Sequence, residues 1–186
     1  MKFGKNMRLD SILYQFFGTS IIISSSIKKQ LDFLKEKLPN DFKNRNELFD
    51  LGCGDGRITL KLKDIFKPQN VKGCDVHPSL VEMAKKRGID AKVIDLENEL
   101  PKGDLGVMWG VLHHLKNQDD ILASLKKNFQ ILVLREPLKV KNKLTSFLEL
   151  GKPFQKEEAK KLFLRVLGNQ TQIIEYQNAI FVFWKK

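Results

Sequence analysis

A chain of 186 residues has room for one domain with a full hydrophobic core and is short for two. Lysine and arginine outnumber aspartate and glutamate by 33 to 22, a formal charge of +11, which either attracts anionic surfaces such as phosphate backbones, acidic lipids or acidic substrates or is simply a lysine-rich exterior. Cys53 and Cys74, the only cysteines, have no CxxC spacing, which excludes a disulfide framework or a structural metal site and fits a reducing, cytoplasmic setting.

The amino-terminal segment carries Lys2, Lys5 and Arg8, but Asp10, Gln15 and Ser24 to Ser26 interrupt the apolar stretch that a signal or anchor needs. Nothing approaches the ~20 apolar residues of a membrane helix. The expectation is a soluble protein with no integral membrane contact.

Ile23, Ile27, Leu31, Leu34 and Leu38 recur at helical spacing, so residues 1–40 read as a helical extension that ends near Pro39 and packs against the edge of a sheet, with covering the substrate opening or contacting a membrane surface as the alternatives. From Glu47 onward short apolar runs alternate with helical segments, the mark of βαβ units and a mostly parallel sheet. The expected strands are 48–51, 71–75, 91–95, 105–109 and 130–134. One helix begins at Pro78 and stops at Gly88, with Lys85, Lys86 and Arg87 near its carbonyl end; another starts near Asn117 with Asp119 and Asp120 in its first turn. After Glu136 and Pro137 come a lysine-rich connection, a helix over 156–167 closed by Gly168, and two runs, 171–176 and 179–184. Only Gln177 and Asn178 join those runs, which predicts an antiparallel hairpin and a reversed last strand. The whole chain reads as a single α/β domain: the extension, a core over 47–137, and a closing helix and hairpin over 138–186.

The segment from Leu48 to Arg57 is an apolar strand that runs into a glycine-dense turn and opens a helix. Gly52, Gly54 and Gly56 let the backbone turn sharply and let a ligand approach its amides. A dinucleotide fingerprint wants glycine or alanine where Arg57 stands, and the Gly-Lys-Ser/Thr ending of a phosphate loop is absent, so the turn favours a ligand without phosphates. Asp50, Asp75 and Asp95 close three successive expected strands, at the ends where open parallel sheets bind ligands. Acceptors concentrated there suit a cationic, hydroxyl-bearing ligand. The same residues have plainer readings: an aspartate also caps turns, Cys53 is a small filler, Trp109 either fills the core or walls a pocket, and His113 and His114 either start a helix or accept protons.

Asp50-Leu51-Gly52-Cys53-Gly54-Asp55-Gly56 resembles the first motif of class I, Rossmann-like S-adenosylmethionine-dependent methyltransferases. Residues 104–115, with Trp109, Gly110, His113 and His114, are similar to the fourth-strand segment of that family's His-His branch, and Arg135-Glu136-Pro137 to a frequent ending of its fifth strand. The resemblance covers about residues 47–137. It implies a three-layer sandwich around a seven-stranded sheet, with S-adenosylmethionine as methyl donor and S-adenosylhomocysteine as product. It also implies cofactor contacts at Asp50, Gly52, Cys53, Gly54 and Gly56, ribose hydrogen bonds at Asp75, and adenine contacts at Val76, Asp95 and Leu96. Trp109 and Gly110 fall beside the methionine moiety.

Methyl transfer from a sulfonium needs positioning more than acid catalysis. A hydroxyl acceptor adds the need for a base, for which His113 or His114 is the candidate and Glu136 the substitute. The His-His form resembles enzymes acting mainly on small molecules and lipids, with tRNA enzymes second. A noncatalytic module that binds the cofactor or a dinucleotide is the third reading.

Overall fold

The strands at the centre of the sheet are apolar on both faces, as strands covered by helices on both sides must be. In this computed structural model, which describes residues 21–139 and 152–186, β1 (Glu47–Leu51) leaves only its first residue partly exposed. Expectations for residues 1–20, and for the lysine-rich connection from residue 140 onward, lie outside the described residues.

The chain runs α1 (Ile21–Lys37), β1, α2 (Arg57–Phe66), β2 (Asn70–Asp75), α3 (Pro78–Lys86), β3 (Asp90–Val93), β4 (Gly103–Trp109), α4 (Gln118–Asn128), β5 (Phe129–Pro137), α5 (Lys156–Leu167), β6 (Gln172–Tyr176) and β7 (Ala179–Lys185). Seven strands pair in the order β3-β2-β1-β4-β5-β7-β6, with β7 antiparallel to both of its neighbours and the other pairs parallel. The chain leaves β1 toward β2 and β3 on one side and returns to β4 on the other. That reversal opens a crevice at the carboxyl ends of β1 and β4.

Two apolar layers flank the sheet. Phe33, Leu34 and Leu38 of the first helical segment join Leu62, Ile65 and Phe66 of α2 on one face. Leu122 and Leu125 of α4 and Leu162 and Phe163 of α5 cover the other. Leu48, Leu51, Leu105, Ile131 and Phe181 between them are fully enclosed, each contributing about 1.5–3 kcal/mol. α1 lies on the first of these faces toward the β6–β7 side: Phe33 stacks on Tyr176 with ring centroids 4.2 Å apart, and Gln30 Nε2 donates to Gln177 O at 3.0 Å. Gln177 and Asn178 both have positive φ, 49° and 57°, the geometry of a tight two-residue hairpin turn.

Three local expectations need correction. The third strand stops at Val93, so Asp95 lies in the turn beyond it, where its carboxylate accepts from Glu97 N–H and Asn98 Nδ2. The fifth strand continues to Pro137 because β7 pairs with it from Ile131 to Pro137. His113 and His114 lie on a 3-10 turn, Leu112–His114, and their rings pack together with centroids 3.9 Å apart instead of pointing apart as on an α-helix.

Candidate functional site

The turn after β1 is held by its own amides. Gly52 N–H and Cys53 N–H both donate to Cys74 O at 2.8 Å, which ties the turn to the end of β2. Gly54 N–H then donates to Asp75 Oδ2 at 3.0 Å. Asp75 Oδ1 takes the His77 N–H at 2.9 Å and faces His77 Nδ1 at 3.0 Å. Gly52 has φ +87°, and a Cβ there would stand 2.4 Å from Val111 Cγ2, so this position requires glycine for conformation and for space. The contact also places the glycine turn directly against the segment that follows β4.

Asp50 lies under the turn, 1% exposed. Thr59 Oγ1 donates to its Oδ2 at 2.6 Å, while Oδ1 is buried with no hydrogen-bond partner. Burial pushes its carboxyl up to about 7; the Thr59 hydrogen bond opposes the rise and the Asp75 charge adds to it. Cys53 is buried beside Val81 and Ala84 of α3, and burial drives its thiol far above the ordinary range, which suits filling space and not attacking a substrate. Asp55, also buried, pairs with Arg57 Nε at 2.6 Å and braces the start of α2.

On the β4–β5 side the organising residue is Glu136, which is fully buried. Its Oε1 accepts from Val111 N–H at 3.0 Å and Leu112 N–H at 2.9 Å; its Oε2 accepts from His113 N–H at 3.3 Å and faces His113 Nδ1 at 2.7 Å. One carboxylate thereby fixes the whole 3-10 turn and the ring of His113. His114 is exposed on one side and covered by His113 on the other. Desolvation chiefly, and then the neighbouring His113, lower its pKa, while Glu136 acts weakly the other way.

Trp109, partly buried at the end of β4, meets Phe181 edge-on with centroids 6.0 Å apart. The Arg135 guanidinium sits 5.5 Å above the Trp109 ring, within cation–π range. Gly110, φ +70°, donates its N–H to Arg135 O at 2.6 Å. Asp104, part of the sequence pattern, stands at the opposite end of β4 and pairs with Arg45 there.

The fold thus brings Asp50, Gly52, Cys53, Gly54, Gly56 and Asp75 around one turn, with Trp109, Gly110, His113 and His114 beside it through Val111. The third element is looser. Asp95 is exposed and both of its oxygens serve its own turn, accepting from Glu97 N–H at 3.0 Å and Asn98 Nδ2 at 2.7 Å. Val76 is 45% exposed next to Asp75, whereas Leu96 is buried in the core. Sequence reasoning missed Thr59, His77 and Val111. The spacing of Thr59 nine residues beyond Asp50, one turn into the helix, was the signal available for the first.

Comparison with known proteins agrees with this geometry. Residues 49–130 match the family model described as a methyltransferase domain. Over 68 residues the chain is 34% identical to a trans-aconitate 2-methyltransferase of Rhodococcus jostii, a match covering 37% of this chain and 27% of the relative. Over 105 residues it is 33% identical to the probable tRNA methyltransferase 9B of Homo sapiens, covering 54% of this chain and 21% of that one. The chain therefore spans about a quarter of the length of these curated relatives. Among solved structures, the one titled "DhpI-SAM-HEP complex" superposes with a TM-score of 0.73 at 13% identity, covering 97% of this chain and 94% of the other. The strand order is that of the superposed structure, and the glycine turn lies within the segment that matches a methyltransferase domain.

Proposed function

We propose that the chain moves the methyl group of S-adenosylmethionine to a small-molecule acceptor. The observation that carries this reading is an amide-lined glycine turn set against an acidic strand end, within a segment that matches a methyltransferase family. The residues present fit the donor. Asp50 Oδ1 is a buried acceptor with an unmet valence beneath the turn, the complement of a cationic ligand. Asp75 keeps a lone pair on Oδ2 and gains one on Oδ1 when the His77 ring turns away, which makes two acceptors for vicinal ribose hydroxyls. Val76 offers an apolar contact beside the adenine, Leu96 supports that wall from the core, and Asp95 is assigned to the adenine amino group.

When bound, S-adenosylmethionine supplies a methyl group on a positively charged sulfur, and the sulfur departs as the neutral thioether of S-adenosylhomocysteine. The chain's work is to hold donor and acceptor close and in line, an effect that contributes ~7–11 kcal/mol in well-oriented systems. Trp109 and Gly110 are assigned to the methionine side of that arrangement. For a hydroxyl acceptor, proton removal is assigned to the His113–His114 pair. The Glu136 carboxylate faces Nδ1 of His113 at 2.7 Å and so orients its ring. The lowered pKa of His114 keeps its ring neutral at physiological pH, ready to take a proton. Glu136 itself, with four donors on it, is assigned to positioning and not to the proton transfer proposed for it as a substitute base.

Thermal unfolding in the presence of S-adenosylmethionine, S-adenosylhomocysteine, NAD or ATP tests the reading. The first two stabilise the fold, by ~2.7 kcal/mol at a hundredfold excess over Kd. A preference for NAD would instead favour the noncatalytic, dinucleotide-binding reading. The similarity to a tRNA methyltransferase, together with the +11 charge, supports RNA as the second acceptor class. Retention of tRNA with a steep salt dependence would bring that class to the front. The two buried free thiols favour a reducing compartment such as the cytoplasm.

A further inference from the structure

Five arginines fall among the described residues, and four of them hold a carboxylate: Arg45 on Asp104, Arg57 and Arg87 on Asp55, and Arg165 on Asp119. The fifth, Arg135, has no ion pair among the described residues, and its Nε is enclosed without a hydrogen-bond partner. Its neighbour Glu136 attracts it through space but makes no ion pair with it. Successive strand residues point to opposite faces of the sheet, and the four donors on Glu136 hold that carboxylate on the other side. Burial lowers the guanidinium to about 10, which leaves it charged at neutral pH.

The location of this cation is as informative as its isolation. Arg135 pairs in register with Trp109 on β4 and with Phe181 on β7, at the carboxyl end of the parallel strands. Trp109 seats the guanidinium from below at 5.5 Å. Nη1 and His113 Cε1 stand 3.3 Å and 4.0 Å from the point that a Cβ on Gly110 would occupy. The missing side chain of Gly110 therefore leaves a gap, with the guanidinium on one flank and the imidazole of the assigned base pair on the other.

We propose that Arg135 anchors an oxyanion of the methyl acceptor, a carboxylate or a phosphate group, so that the substrate is an anionic small molecule. The inference rests on the methyltransferase reading and deepens it. A guanidinium presents parallel N–H groups that match the two oxygens of either anion. A partly buried cation without an ion-pair partner is costly to the folded protein, and a ligand that neutralises it recovers that cost on binding. The anchored group fixes one end of the acceptor, leaving its reacting atom between the donor turn and His113–His114.

The test is titration calorimetry on protein saturated with S-adenosylhomocysteine, using trans-aconitate as a carboxylate probe, inorganic phosphate, and the neutral trimethyl ester of trans-aconitate. The wild type binds at least one of the two anions and not the ester, and the better anion identifies the headgroup. Arg135→Gln weakens that binding at least tenfold with S-adenosylhomocysteine affinity unchanged. Arg135→Met also loses the anion yet melts no lower than the wild type, because a partly buried charge without an ion pair has gone; a purely structural arginine would lower the melting temperature. The proposal is overturned by wild type that binds neither anion, by equal anion binding in Arg135→Gln, by a bound ester, or by a destabilised Arg135→Met. A loss of S-adenosylhomocysteine binding in Arg135→Gln also overturns it, by assigning the arginine to the donor's own carboxylate. Wild type that fails to bind S-adenosylhomocysteine at all removes the methyltransferase reading itself, a distinct result.

Discussion

The two halves of the strand-end rim solve opposite electrostatic problems. Around β1 and β2 the chain places carboxylates and wraps them in its own N–H groups, leaving one oxygen of Asp50 unmatched. Around β4 and β5 it saturates Glu136 with four donors and leaves Nε of Arg135 without a hydrogen bond and its guanidinium without an ion pair among the described residues. Each half therefore retains one unmet group, negative on the first side and positive on the second. The contrast teaches how one rim could serve two different ligands: under the proposed function and the proposed anchor, a cationic donor faces the first half and an anionic acceptor the second.

The largest expected effect comes from removing the unmet charge of the first half. Asp50 has a folded pKa of about 7 against an ordinary 3.8, so the folded protein holds a proton that the unfolded chain releases between those values. Stability consequently falls as pH rises through that window, with a penalty on the order of 4 kcal/mol above it. Asp50→Asn removes the penalty, and urea unfolding at pH 8 should show the gain while unfolding at pH 4 shows almost none. An unchanged pH slope in the variant would remove Asp50 from the comparison.

Next in size is Glu136→Ala, which strands buried amides of Val111, Leu112 and His113; about 3 kcal/mol of stability should be lost in denaturant unfolding. Glu136→Gln restores one accepting oxygen and should recover part of it. Full stability in the alanine variant would mean that the 3-10 turn holds without its clamp. Asp75→Ala follows, with a loss of roughly a hundredfold in S-adenosylmethionine affinity by calorimetry, as expected for two hydrogen bonds to a charged acceptor. Unchanged affinity would strip the first half of its ribose role. The smallest is Gly52→Ala, for which positive φ alone costs ~1–2 kcal/mol and Val111 must also shift. Co-purified stability and cofactor binding should fall together; a neutral result would show that the two halves of the rim move independently.

Local chemistry made much of this legible before any coordinates. Glycine at 52, 54 and 56, Pro78 at a helix start, and the two-residue join at Gln177 and Asn178 each act through their own backbone preferences, so their readings needed no knowledge of distant neighbours. The valence of a side chain is different, because it depends on who arrives from elsewhere in the fold. Glu136 looked like a reserve base until three amides from the turn after β4 proved to converge on it. Arg135 looked like part of a strand ending, and only the positions of the other carboxylates among the described residues reveal that none of them pairs with it. Asp95 erred in the other direction: its strand stopped two residues early, where Glu97 and Asn98 drew it into a turn.

The docking of α1 has a consequence for biosynthesis. Its amide and aromatic partners, Gln177, Tyr176 and Phe181, lie nearly 150 residues downstream, as the separation of 147 between Gln30 and Gln177 records. A ribosome delivers the helix 147 residues before its Gln177 partner, so the nascent helix waits with Phe33 and Leu34 uncovered while the intervening sheet emerges. Completion of the hairpin is then the event that closes this side of the molecule, and a chain stalled before Tyr176 leaves it sticky.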